Sequence, residues 1–577
     1  MAFQSSAPLA DRSWRLAPNL WDGLAFGLIF AGLILTLQAS RDSLAPLSAL
    51  SAQPLSLDPG RLPGYALSST LRMLAAMVAS LVFTFLFGAL AAKSRRAAML
   101  LVPLLDILQS VPVLGFLSFT VTAFMALFPG QVMGVELAAI FAIFTSQAWN
   151  MAFSFYQSLT TLPGDLDEAA RSLRLSSWQR FWRLEVPFAM PALIWNMMMS
   201  MSGGWFFVTA SEAISVGNRS YTLPGIGSYV ALAIARSDVA AVGWAVLAML
   251  AVILAYDQLL FRPLVAWAEK FRVEQSAGRP APRSWLLDAL RATRLFRRVT
   301  APAGALLARL ERQPLRPPPL PPALQRAWRS RAADRLWLAL VGVGGAWALW
   351  SVATYAATEM TWRDLADAVG LGALTLLRVV VLIGLASLLW VPAGVWIGLR
   401  PRLAACIQPL AQFLAAFPAN ILFPLAVLGI LRFRLNPDIW LSPLMVLGTQ
   451  WYILFNVVAG AAAFPNDLRE AAASFRIRGP GWWRKVILPG VFPYYVTGAI
   501  TASGGAWNAA IVAEVASWGH HTVSAHGLGA YIAAATTAGD YPRIVLGIAV
   551  MSAYVLLFNR LFWRPLYGYA ARRLRLD

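Results

Sequence analysis

The chain has 577 residues, of which 59% are hydrophobic and 13% charged, with a mean hydropathy of +0.62. Soluble domains carry about 25% charged residues, so a water-soluble globular enzyme is excluded and a bilayer is the expected solvent. The net charge of +20 sits in short segments between apolar runs, a membrane-topology pattern rather than a nucleic-acid-binding face.

Apolar runs of helix-crossing length predict an all-α, polytopic membrane protein with about 12 transmembrane helices in two tandem six-helix repeats. The first half is expected over 1–261, with spans near 22–40, 69–92, 98–127, 133–156, 188–213 and 240–261. Arg12 and Arg15 precede the first span, as before a secretory signal. A matching span opens the second half, so it reads as a retained anchor. Lys93–Arg96 follows the second span, and the positive-inside bias then puts both termini in the cytoplasm.

The segment 262–335 holds sixteen Lys and Arg against five Asp and Glu. It reads as a cytoplasmic linker that includes the proline-rich stretch Arg312–Pro322, a stiff spacer. PRSWLLDALRATRLFRR within it is basic and amphipathic and is expected to lie on the anionic inner leaflet. The second half, 336–577, repeats the pattern with spans near 336–356, 368–398, 404–430, 439–462, 490–515 and 543–563.

The repeat extends to individual residues. Trp149, Pro163, Glu168, Pro187, Trp205, Glu212 and Gly225 recur 302 residues later as Trp451, Pro465, Glu470, Pro489, Trp507, Glu514 and Gly527. Arg72 and Pro112 match Arg378 and Pro418 at an offset of 306. Six spans per half make the halves parallel, related by an axis along the membrane normal.

Two charged helical patches interrupt the apolar sequence, within loops 160–187 and 463–489. They read EAARSLRLSSWQRFWRLEVP from Glu168 and EAAASFRIRGPGWWRKVILP from Glu470, in identical register. Glu-Ala-Ala opens a helix with small side chains that a partner surface can approach closely, and the upstream Pro163 and Pro465 suit helix initiation. A second, apolar arm would rest against the bilayer.

These patches resemble the EAA loop of binding-protein-dependent ABC importer permeases, and the likeness covers nearly all of both halves. SEAISVG followed by GIGSYV, and AEVASWG followed by GLGAYI, look like the nitrate/sulfonate/taurine/bicarbonate branch. So do TLRMLA and LLRVVV, around Arg72 and Arg378. The closest likeness is to the duplicated, fused permeases of that branch. The resemblance implies that Glu168, Ala169, Ala170, Glu470, Ala471 and Ala472 form coupling helices that dock into a pair of ATPase subunits. Those subunits would bind ATP and Mg, leaving this chain without a cofactor of its own. It further implies an extracytoplasmic solute-binding protein, the bacterial inner membrane as location, one copy of this chain supplying both permease halves, and a small anionic cargo. The family usually has glycine at the seventh position of the patch, where this chain has Arg174 and Arg476. Left-handed backbone angles resist arginine, so the elbow is expected either to be reshaped or to offer its arginines to a partner.

No phosphate-cradling GxxxxGK[ST] loop accompanies Lys93, Lys270 or Lys485. SGGW at Ser202 and SGGA at Ser503 are embedded in spans, where small residues pack helices or line a pathway. Cys406 stands alone, and His520, His521 and His526 read as a solvated loop rather than a metal site. Four intramembrane ionisable residues, Arg72, Arg378, Glu212 and Glu514, are expected at similar depth. They are read either as helix-packing pairs or as attractants for an incoming oxyanion. Trp205 and Trp507 are expected either to line the route or to face lipid. A major-facilitator transporter also has six-plus-six parallel repeats, but it leaves the two patches unexplained.

Overall fold

A computed structural model describes residues 20–48, 55–216, 219–271, 284–314, 331–462 and 464–573. Arg12, Arg15 and most of the proline-rich stretch lie outside the described residues. The chain is helical and duplicated, as its hydropathy dictates. In the first half, α1 is Leu20–Ser43, α2 Leu62–Lys93, α3 Arg95–Ser110, α4 Leu117–Leu127, α5 Val132–Thr160, α6 Gly164–Ser172, α7 Ser177–Arg180 and α8 Val186–Ser211. A hairpin of β1 (Ala213–Val216) and β2 (Arg219–Thr222) leads into α9 (Ile226–Ala235) and α10 (Val239–Tyr256), followed by α11 (Arg262–Ala268). The linker contributes α12 (Trp285–Ala292) and α13 (Leu295–Arg312).

The second half repeats this order. It runs α14 (Arg331–Glu359), α15 (Trp362–Gly398), α16 (Pro401–Ala416), α17 (Phe423–Phe433), α18 (Pro437–Trp440), α19 (Leu444–Leu447) and α20 (Trp451–Ala462). There follow α21 (Asn466–Ser474), α22 (Gly479–Trp482), α23 (Leu488–Ala513), β3 (Val515–Trp518), β4 (His521–Ser524), α24 (Leu528–Ala538), α25 (Tyr541–Phe558) and α26 (Arg564–Arg573).

Among the described residues, six helical stretches are long and apolar enough to cross a membrane, or seven if α18–α20, bent by 45°, counts as one. Other apolar helices among the described residues are shorter or broken, and prolines account for several of the breaks. The expected spans 98–127 and 404–430 both break, at Pro112 and Pro418, which hold ψ near 115° and 102° in extended backbone. Proline lacks an amide hydrogen, and its ring clashes with the preceding turn. Each break is followed by a short 3-10 turn and a second helix. The expected span 439–462 is divided in the same way behind Pro437 and Pro443.

Proline shapes the other junctions too. Pro187 and Pro489 each follow a single wide π turn, Phe181–Glu185 and Trp483–Ile487. Pro263 and Pro565 follow Asp257–Phe261 and Asn559–Trp563. A proline ring pushes away the carbonyl one turn back, which opens the helix to the wider pitch.

In each half the core helices pack through small residues. Gly88 lies against Phe155 between α2 and α5, and Gly394 lies against Val457 between α15 and α20. Without a water-driven force between helices in lipid, such close approach supplies dispersion contact. The halves then brace each other reciprocally. The 3-10 turn after Pro112 donates the Val113 amide to Asn508 Oδ1 at 2.8 Å, and Asn420 in the matching turn accepts from Thr209 Oγ1 at 2.9 Å. Such swapped contacts are what a pseudo-twofold relation produces.

Candidate functional site

Three features of the structure bear on function: two elbows at one end of the halves, two charge clusters at the other, and a cavity between the halves.

Each elbow begins with a short helix capped by an upstream proline, α6 behind Pro163 and α21 behind Pro465. Glu168, Ala169, Glu470 and Ala471 are exposed, while Ala170 and Ala472 are buried at 5% and 4%. The helices end alike. Leu175 N donates to Ala170 O and Arg174 N to Arg171 O; Ile477 N donates to Ala472 O and Arg476 N to Ala473 O. This is the Schellman pattern, which requires a left-handed residue just past the helix. Arg174 and Arg476 adopt it, with φ of 52° and 49°. The elbow therefore keeps the turn that glycine would give, and the strain falls on arginine rather than on the fold. Both arginines are exposed.

The residue before each arginine was not singled out by the sequence reading. Leu173 is 73% exposed and Phe475 79% exposed, so each elbow holds a large apolar side chain beside its Glu-Ala surface. The signal was available in the repeat, since both occupy the sixth position of the patch. Pro187 and Pro489 lie at the start of α8 and α23, where the chain turns back into the helical bundle.

At the opposite ends of the same helices, Glu212 and Glu514 are buried at 0% and 1% exposure. Glu212 accepts from Ser69 Oγ at 2.6 Å, Arg72 Nη1 at 2.7 Å and the Gly227 amide at 2.7 Å. Glu514 accepts from Thr375 Oγ1 at 2.8 Å, Arg378 Nη1 at 3.2 Å and the Ala530 amide at 3.1 Å. The structure thus joins each Arg to its Glu as the topology suggested. It also adds a third member that sequence reasoning missed. Arg72 forks onto Glu136 at 2.6 and 2.8 Å, and Arg378 reaches Asp438 at 2.9 Å. Glu136 and Asp438 are 302 residues apart, so the repeat register carried this signal. Arg72 Nη1 also donates to Pro224 O at 2.9 Å, so all three of its nitrogens are engaged.

The clusters bind each hairpin and the following short helix down onto α2 or α15. Gly225 and Gly527 lie so close to Glu212 and Glu514 that a Cβ at either would collide with the carboxylate. His526 belongs to the second cluster, its Nδ1 lying 3.1 Å from Asp438 while its side chain is 80% exposed. No group of three metal-binding side chains occurs among the described residues.

Between the halves lies a cavity of about 180 Å³, lined by uncharged residues from both. Its polar groups include Gln109, Asn150, Thr449, Tyr452, Thr501 and Asn508, with Phe206 and Phe207 on one wall. Ser202 and Gly203 of SGGW and Gly504 and Gly505 of SGGA form part of its surface. Ser202 and Gly203 stand some 24 Å along α8 from its start, at about 1.5 Å per residue, well inside the bundle. A Cβ on Gly203 would meet Tyr452 Oη, so glycine here keeps space open across the interface. Trp205 and Trp507, both 1% exposed, do not face lipid. Trp205 borders a second, larger cleft of about 390 Å³ with Tyr256 and Phe413, while Trp507 stacks on Tyr554.

Comparison with known proteins agrees with this duplication. The model for the inner membrane component of binding-protein-dependent transport systems matches twice, over residues 62–261 and 390–575. The bicarbonate transport system permease protein of Synechococcus elongatus is 28% identical over 186 residues, 32% of this chain and 64% of that protein. The nitrate import permease protein of Leptolyngbya laminosa is 26% identical over 205 residues, 36% of this chain and 68% of its own length. The glycine betaine/proline betaine transport system permease protein of Escherichia coli is 30% identical over 184 residues, 32% and 48% of the two chains. The chain thus spans less than two thirds of the length of the bicarbonate permease it matches.

Proposed function

This chain belongs to the family of binding-protein-dependent transport system inner membrane components, and from that premise we propose that it is the permease of an ATP-binding cassette importer for a small anion. Both permease halves are supplied by one copy, with both termini and the linker in the cytoplasm. Two ATPase subunits, which carry ATP and Mg, dock on the two elbows, and an extracytoplasmic binding protein delivers the solute to the hairpin end.

The observation that carries this reading is the pair of elbows. In each, a Glu-Ala surface and a large exposed apolar side chain are held in the same Schellman-capped geometry. An exposed Leu or Phe at the tip of a short helix suits a partner's pocket, because a few desolvated anchors dominate an interface. The small residues let that partner come close to the backbone. Arg174 and Arg476 add a positive rim that suits acidic groups on the ATPase.

The similarity to bicarbonate and nitrate permeases supports a small inorganic anion as cargo. The cavity between the halves is the proposed passage. It is smaller than the roughly 300–1,000 Å³ of pockets for drug-sized ligands, and it offers amide and hydroxyl groups without a fixed cation. Neutral donors hold an anion weakly enough to release it, as conduction requires. Arg72 and Arg378 are assigned to holding the helices rather than to meeting solute, since each guanidinium already bridges two carboxylates.

Co-purification tests the central claim. The native chain should retain its ATPase partner through detergent extraction, and Glu168→Arg with Glu470→Arg should release it while the chain keeps its elution profile. Retention of the ATPase by that variant would overturn the proposal.

A further inference from the structure

The two elbows are not equally supported. In the first, Asp167 bridges Arg171 and Arg180, each at 2.7 Å, and Glu185 bridges Arg180 at 3.1 Å and Lys93 at 2.9 Å. The equivalent residues of the second half are Arg469, Trp482 and Ile487 in place of Asp167, Arg180 and Glu185, so that network cannot form there.

The linker adds a further difference. Helix α13 is fastened at both ends to the first half. At its start, Asp22 Oδ1 accepts from the Arg294 amide at 3.0 Å and the Phe296 amide at 2.9 Å, and Phe296 packs edge-on against Phe26 at 5.7 Å. Asp22 is 1% exposed. At its end, Trp178 Nε1 donates to Leu310 O and Gln179 Nε2 to Arg312 O, both at 2.7 Å. Those carbonyls are among the last four of the helix, which have no partner within it. Trp178 and Gln179 form the second arm of the first elbow. The same positions in the second elbow are Pro480 and Gly481, neither of which has a side-chain donor.

The free face of α13 completes the picture. Leu295, Val299, Leu306 and Leu310 are 38, 58, 58 and 49% exposed. At about 100° per residue they fall within a ~60° arc. Arg298 and Arg309, both exposed, lie together along one edge of that arc. A narrow apolar stripe with cations along one edge suits a helix that lies in a headgroup layer. The seat of α13 lies beside Asp22 of α1, ahead of the apolar run of that helix. Trp21 beside Asp22 is 45% exposed, as suits an aromatic residue at the water–lipid boundary.

We propose that α13 is a strap lying on the anionic surface of the bilayer, and that it holds the first elbow but not the second. The occupant of its stripe is the negatively charged lipid leaflet. Any effect of the strap on ATPase docking at the first elbow rests on the importer reading above; the strap and its lipid contact do not.

The test uses the full-length chain with Cys406→Ser and an environment-sensitive label at Leu306→Cys. It is reconstituted in phosphatidylcholine vesicles with increasing phosphatidylglycerol, without ATPase. Spin-labelled lipids should quench the probe increasingly as phosphatidylglycerol rises, while iodide loses access. Arg298→Gln with Arg309→Gln should weaken that dependence by roughly fivefold per arginine in the lipid-seated equilibrium. Iodide access that is indifferent to phosphatidylglycerol would overturn the proposal. So would shielding that appears only when an ATPase partner is added, which would assign the stripe to protein. In the same vesicles, spin labels at Leu173→Cys and Phe475→Cys should report a less mobile first elbow. Trp178→Phe with Gln179→Ala should remove the difference, and equal mobility before those substitutions would refute the strap. These readouts need no ATP, so their failure is distinguishable from failure of the importer assignment.

Discussion

Replacing Arg72 by alanine separates the structural and solute-binding roles of the charge clusters. The guanidinium sits between Glu136 and Glu212 at 2.6 and 2.7 Å, with Arg72 itself 5% exposed and the two carboxylates 13% and 0%. Its removal leaves two carboxylates facing one desolvated space. Breaking a buried pair in this way costs about 3–5 kcal/mol. At about 2–4 °C per kcal/mol for a unit of comparable size to one half, the thermal midpoint should fall by roughly 6–20 °C. Arg378→Ala should cost less, about 1–3 kcal/mol, because Asp438 is 36% exposed and retains His526. A neutral triple replacement, Arg72→Met with Glu136→Gln and Glu212→Gln, should recover much of the loss, since no unpaired charge remains. The assay is the temperature at which the detergent-solubilised chain loses its monodisperse elution peak. An unchanged midpoint for Arg72→Ala, together with a large rise in the solute concentration needed for half-maximal uptake, would refute the packing argument and return Arg72 to the solute path.

Gly225→Ala and Gly527→Ala place a methyl group against Glu212 and Glu514 and should each cost about 1–3 kcal/mol by overpacking. Gly243→Ala, where nothing lies within 4 Å, should be neutral or stabilising by up to about 1 kcal/mol, and the same melting assay compares them. In the elbows, Arg174→Gly relieves the left-handed strain, whereas Arg174→Val should cost about 1–2 kcal/mol, read as faster amide exchange at Leu175. Gly203→Val fills the inter-half cavity beside Tyr452 and should abolish uptake in vesicles while leaving ATPase co-purification intact. Normal uptake by that variant would remove the cavity from the pathway.

Hydropathy and internal repetition were enough to fix the class of this protein. Apolar runs demand helices because a bilayer leaves no other way to satisfy the backbone. The 302-residue register made the two Glu-Ala-Ala patches visible as a pair. That register also held Glu136 with Asp438 and Leu173 with Phe475, but their roles depend on what they touch or leave uncovered, and only packing reveals that. The left-handed arginines were beyond sequence reasoning for a different reason. A propensity states the strain at Arg174 and Arg476, whereas the surrounding hydrogen bonds decide whether the turn bears it.

Hydropathy reads straight through Pro112 and Pro418 while backbone geometry does not, so two of the expected spans are each built from two helices. The hairpins after Glu212 and Glu514 were equally hidden, because strands of four residues are too short to stand out by alternation. Contacts between distant segments came from tertiary structure alone: the cavity shared by the halves, Asn420 and Asn508 accepting from the first half, and Trp178 reaching Leu310 across 132 residues. Local sequence specifies how each segment meets lipid or water. Which segments then meet each other is decided by close packing, a property of pairs that no single stretch of chain contains.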